Sequence, residues 1–136
     1  LRKHAPMTPR NLEEWERALR RVLDQIDDLL EDRFGQAYAL TRNRPPRGTT
    51  ANKRYDGLFA VEAKFSLGLG RREGPGYSVE VRMVTFSDVP EEVQTEIRQL
   101  AEGILGKEIP RAFPGRGVAV SDMGSHLLIH GDLGWR

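Results

Sequence analysis

His126, His130 and Asp132 are separated by even intervals near the C-terminal end, so on a strand they would share one face. Neutral imidazoles suit zinc, and a histidine beside an aspartate can exchange a proton with it. On an extended strand the two histidines stand ~13 Å apart. They cannot by themselves hold one ion, and polar residues on the open face of a sheet account for the same pattern. Gly68, Gly70, Gly74 and Gly76, with Arg71 and Arg72 among them, could offer backbone N–H groups and two cations to an anion. They do not form Gly-x-Gly-x-x-Gly, because position 73 is Glu, and no helix follows to present its N-terminus to a phosphate.

The basic segment 42–54 carries Arg42, Arg44, Arg47, Lys53 and Arg54 without a single acid. A flexible cationic arm of this kind could lie along a phosphate backbone. It has no aromatic residue on which a base could stack. Asp56, Glu62 and Lys64 resemble the Asp…Glu-x-Lys pattern of one large nuclease class, in which two acids hold Mg²⁺ and the lysine assists the attacking water. Here Asp56 and Glu62 lie six residues apart in one stretch, ~20 Å when extended, too far to share a metal. Facing partners in Arg82 and Glu80 give Glu62 and Lys64 a structural explanation as a charge ladder.

Composition narrows the field further. The chain has 136 residues, 21 Lys+Arg against 20 Asp+Glu, and no cysteine. That length supports one domain with one modest core. Without cysteine there is no disulfide scaffold, thiolate zinc site, iron–sulfur cluster or cysteine nucleophile. No apolar run reaches the roughly 18 residues of a membrane helix, and residues 1–7 are basic with no apolar stretch behind them. No Gly-x-Ser-x-Gly, His-Glu-x-x-His or calcium-loop motif occurs. These features argue against an enzyme, a metal site, a cofactor or a membrane partner, and for a cytoplasmic setting.

The elements that would position these residues follow from hydrophobic period. Leu12, Trp15, Leu19, Val22, Leu23, Ile26, Leu29 and Leu30 recur every three or four residues and predict a helix over 11–34. Asn11 and Glu14 form a capping box at its start. After the Pro- and Gly-containing segment 42–54, the period changes to two. The stretch 58–67 alternates Phe59, Val61, Ala63 and Phe65 with polar or small residues, and 77–86 alternates Tyr77, Val79, Val81 and Met83. Setting Val61 opposite Met83 places Glu62 against Arg82 and Lys64 against Glu80, a register favoured by opposite charges. A second helix is predicted over 89–105, capped by Asp88 and stopped at Gly106, then an irregular connection over 107–116. Strands at 117–121 and 126–130 follow, around a Met123-Gly124 turn.

The order is α-β-β-α-β-β. Its simplest packing is a two-layer α+β domain, an antiparallel four-stranded sheet with both helices on one face. Residues 1–10 would be an N-terminal extension, native or added, and 11–136 one domain with a basic loop at 42–54. The far face would then show Leu58, Ala60, Ala119 and Leu128 among charges, a semi-apolar surface suited to a homodimer or a protein partner. A non-catalytic interaction or scaffold module is the leading expectation. Nucleic-acid or anion binding through Arg42, Arg44, Arg47, Lys53, Arg54, Arg71 and Arg72 is the alternative.

Overall fold

The computed structural model describes residues 12–114 and 117–131. Helix α1 (Leu12–Phe34) leads through a long loop to the hairpin of β1 (Phe59–Ser66) and β2 (Gly76–Met83). Helix α2 (Glu91–Ala112) then crosses to a second hairpin, β3 (Val118–Asp122) and β4 (Leu127–Gly131). The strands form one antiparallel sheet in the order β1-β2-β4-β3. This is the expected α+β arrangement, with the last strand placed inside the sheet. Asn11 and Asp132 lie outside the described residues.

The predicted stripe of α1 is the core. Trp15, Leu19, Val22, Leu23, Ile26 and Leu30 are buried against Phe59 and Val61 of β1, Val79 of β2 and Ile129 of β4. Trp15 packs edge-on to Phe113 at 4.0 Å and to Tyr77 at 5.3 Å between ring centroids. Outside that stripe α1 carries Glu13–Arg17 and Arg20–Asp24 pairs one turn apart, the second half-buried where Arg20 also turns toward the sheet. The exposed Glu13–Arg17 pair adds about 0.3–0.5 kcal/mol.

Helix α2 differs from its sequence expectation at both ends. Pro90 rather than Asp88 is the N-cap and makes no side-chain cap bond. The helix also runs past Gly106 to Ala112, taking in Pro110. Ile97, Ala101, Leu105 and Ile109 recur every four residues and are buried, and Phe113 continues the row. Burying two more large side chains, Ile109 and Phe113, outweighs the ~1 kcal/mol that a mid-helix glycine costs. Pro110 falls in the last turn, where only one intrahelical bond is lost.

The hairpin register is displaced by two residues from the expected one. Val61 faces Val81, Ala63 faces Val79, Phe65 faces Tyr77, and Glu62 stands directly opposite Glu80. The slip keeps every side chain on its predicted face. Its gain is the Phe65–Tyr77 ring contact, 5.7 Å between centroids, and a buried Tyr77 whose hydroxyl donates to Glu16 at 3.0 Å. Burial, and then the Glu16 carboxylate, push the Tyr77 hydroxyl up to about 12. Aromatic burial worth ~2 kcal/mol overrides cross-strand charge pairs worth a few tenths. Lys64 and Arg82 become the diagonal neighbours of Glu80 and Glu62.

Of the expected apolar dimer face only Ala119 is exposed. Leu58 precedes β1 and packs into the core, Ala60 lies beside the Phe59 carbonyl that receives Arg44, and Leu128 is 0 % exposed. Leu128 belongs to an interior strand, paired with Ser78 on one side and Ser121 on the other. An interior strand is walled by its neighbours where an edge strand would not be. Replacing Glu80 with Lys tests the register: removing the Glu62–Glu80 repulsion is expected to raise stability by roughly 0.2–1 kcal/mol in urea unfolding. The other register would set two lysines face to face and lower it.

Candidate functional site

The basic segment is a folded loop held from inside. Arg44 donates from Nε to the Gly57 carbonyl at 2.9 Å, and its Nη2 lies 2.9 Å from the Arg54, 3.0 Å from the Asp56 and 3.1 Å from the Phe59 carbonyl. Burial first, and the Arg82 guanidinium second, lower its pKa from that of a free arginine. Arg47 reaches back to α1, donating to Asp27 at 2.6 Å and Asp28 at 2.5 Å. Lys53 pairs with Asp28 at 3.0 Å. Arg54 lies over the Tyr55 ring at 5.5 Å and bonds Asn52 at 3.4 Å. Gly57 turns with φ +76°, and a Cβ there would meet the Glu31 carboxylate that accepts from the Phe59 amide.

Two buried carboxylates anchor this loop. Asp56 accepts from the Gly48 and Thr50 amides at 3.1 and 2.9 Å and from the Thr50 hydroxyl at 3.2 Å. Burial alone would raise its pKa, but these donors and Arg47, 3.6 Å away, hold it below the usual carboxylate value. Asp27 is 0 % exposed, and its Oδ2 has no hydrogen-bond partner. Its burial outweighs the Arg47 guanidinium and pushes it up to about 7. Asp27 was legible as an anomaly, an acid four residues after Leu23 and three before Leu30, inside the apolar stripe of α1.

The remaining sequence candidates do not converge. Arg71 folds back on the hairpin loop, donating to the Gly74 carbonyl at 2.9 Å, while Arg42 and Arg72 are exposed. His130 is bonded to Ser121 at 2.9 Å and His126 to Ser125 at 3.0 Å. Asp56 is enclosed by the basic loop, and Glu62 stands opposite Glu80 on the strand. Among the described residues no group of three or more acid or histidine side chains is placed to hold a metal ion.

A cleft of about 450 Å³ opens between the outer half of β2 and the first turns of α2. Val79, Val81 and Met83 of β2, Ile97 of α2 and Leu127 of β4 supply its apolar lining. Asp88, Gln94, Arg98 and His126 supply the polar part, and Arg82 of β2 also borders it. Arg98 is fixed by Asp122, 3.0 and 3.2 Å from its two carboxylate oxygens. The Gly124 amide first, and Arg98 with it, hold the Asp122 carboxyl below its ordinary pKa against the opposing effect of burial. Phe86, between the cleft residues Thr85 and Ser87, is 86 % exposed. Sequence periodicity missed this cleft because its origin is a mismatch of strand lengths: β2 has eight residues, and β4 pairs with only four of them.

A family model described as "Uncharacterised protein" matches residues 10–131, which contain both helices and all four strands. The chain belongs to that family. It is also similar to an uncharacterized protein of Borreliella burgdorferi, 33 % identical over 107 residues that cover 79 % of this chain and 84 % of that one. No solved structure matches. No helix among the described residues is long and apolar enough to cross a membrane.

Two outcomes follow for the loop. Arg44→Ala leaves several carbonyls without their donor and is expected to cost about 2–4 kcal/mol in urea unfolding, with Arg44→Lys recovering only part. For Asp27, a folded pKa of about 7 against an ordinary 3.8 means that the native state holds the proton more tightly. Its stabilising contribution is complete below pH 4 and is lost as pH rises through about 7. Asp27→Asn should therefore flatten stability between pH 5 and 8 and be the more stable protein at pH 8. An unchanged pH profile would show that Asp27 is ionised throughout.

Proposed function

We propose that the protein is a non-catalytic interaction module that holds a segment of a protein partner in the cleft between β2 and α2. The observation that supports this reading is the cleft itself, its volume of about 450 Å³ lying within the range of specific binding sites. Its apolar lining is continuous with the core, through Val79, Ile97 and Leu127, so it is held rigidly. Its charged groups stand at the margin, the arrangement that excludes water from apolar contacts while setting orientation. The basic loop supports a different role, because Arg44, Arg47 and Lys53 are engaged by the protein's own carbonyls and carboxylates.

Gln94 is exposed on α2 and lines the cleft, so Gln94→Trp obstructs the opening without touching the core. Selection of a displayed random peptide library on the immobilised protein is expected to enrich sequences that lose binding to Gln94→Trp. The variant should keep an unfolding midpoint close to the parent's, since it loses only the exposed bond from Gln94 to the Val89 carbonyl. Enrichment indifferent to the substitution, or none at all, overturns the cleft as the binding surface.

A further inference from the structure

The wall of the cleft formed by β2 is an open strand edge. The Val84 amide donates to the Leu58 carbonyl, so in this antiparallel pair the even-numbered residues of β2 turn their backbone groups toward β1. The odd-numbered ones turn the other way. Tyr77 and Val79 meet Ile129 and Leu127 there, and the ladder with β4 stops at that point. Ahead of Leu127 the chain turns back to β3, in the turn closed by the Met123 amide on the His126 carbonyl. Val81 and Met83 therefore direct their N–H and C=O groups into the cleft with no strand opposite them among the described residues.

Side-chain alternation adds a second constraint. Val81 and Met83 face the helix layer, and Arg82 faces the other side. Arg82 is exposed, makes no ion pair among the described residues and lies close enough to Arg44 to feel its charge. A strand laid beside Val81–Met83 would present two side chains to the apolar lining and one to Arg82. The pair formed with Arg82 would be of the non-hydrogen-bonded kind, in which side chains approach most closely.

Building on the cleft reading, we propose that the partner's segment binds by strand addition, antiparallel to β2 and in line with β4, and that it carries an acidic residue between two apolar ones. Backbone bonds to Val81 and Met83 hold the segment, the apolar pair fills the space beside Ile97, and the acid neutralises Arg82. This is the mode in which main-chain bonds give affinity and alternate pockets give specificity.

The probes are blocked pentapeptides of sequence Thr-Val-Glu-Val-Thr, its Lys-centred counterpart, and the Glu peptide N-methylated at both valines. Each is titrated into ¹⁵N-labelled full-length protein. The Glu peptide is expected to shift the Val81 and Met83 amides and slow their hydrogen exchange. The Lys peptide should bind about fivefold more weakly or worse, and the methylated one should not bind. Arg82→Gln, which keeps most of the side chain, should erase the Glu-over-Lys preference while retaining the shifts. Equal affinity for Glu and Lys in the parent protein overturns the acidic centre, and tolerance of N-methylation overturns strand addition. If no probe shifts these amides while library binders still depend on Gln94, strand addition alone is overturned. If both fail, the cleft reading falls with it.

Discussion

Strand β1 lies at the edge of the sheet, and an edge strand must dispose of a row of backbone groups that point away from its only neighbour. Here that task falls to three side chains. Glu31 of α1 accepts from the Phe59 amide, Arg44 donates to the Phe59 carbonyl, and Arg20 of α1 donates to the Val61 carbonyl at 3.1 Å. The same contacts fix α1 to the sheet and shape the long connection between them. Arg44 could not reach Phe59 unless Asp56 and Arg47 closed the loop around it, and Gly57 could not turn beneath Glu31 if it carried a side chain. Shielding the edge, docking the helix and folding the loop are thus one arrangement, with the Arg44 guanidinium at its centre.

That arrangement also distinguishes the edge of β1 from the outer edge of β2 beyond Val79. Half of β1 is covered by polar side chains that satisfy it, whereas Val81–Met83 of β2, paired with β1 on one side, are bordered on the other by apolar side chains and, among the described residues, by no strand. Covering one edge with charges limits indiscriminate association, while the recessed edge of β2 and the outer side of β3 leave main-chain groups without a neighbouring strand among the described residues. The charges of segment 42–54 contribute to the cover of β1.

The sequence showed element types well and their extents less well. The stripe of α1 and the alternation of both hairpins depend on burial of one face, and burial dominates the energetics, so they could be read directly. The end of α2 could not. Gly106 and Pro110 have strong local preferences, and only the tertiary contacts of Ile109 and Phe113 override them. The register went astray for the same reason, since Glu62 and Glu80 accept a repulsion so that Tyr77 can be enclosed by Trp15 and Phe65. Leu128 looked exposed because strand order is invisible to periodicity. For the loop, counting cations showed a basic arm, but their partners Asp27, Asp28 and Asp56 lie outside segment 42–54 or fold over it. Asp27 alone left a trace, by interrupting an apolar stripe.

The interior position of β4 has a consequence for the order of assembly. Residues 127–131 are made after every other described element, yet they occupy the slot between β2 and β3. Until they emerge from the ribosome, Tyr77 and Val79 have no strand on their outer side, and β3 has no neighbour at all. The nascent chain therefore carries α1, the first hairpin and α2 as an incomplete layer with apolar positions uncovered. Closing it requires the most sequence-distant pairing last, the kind of step that slows folding and lengthens exposure to aggregation. Among the described elements, completion of this sheet is thus the last step, tied to the arrival of five residues.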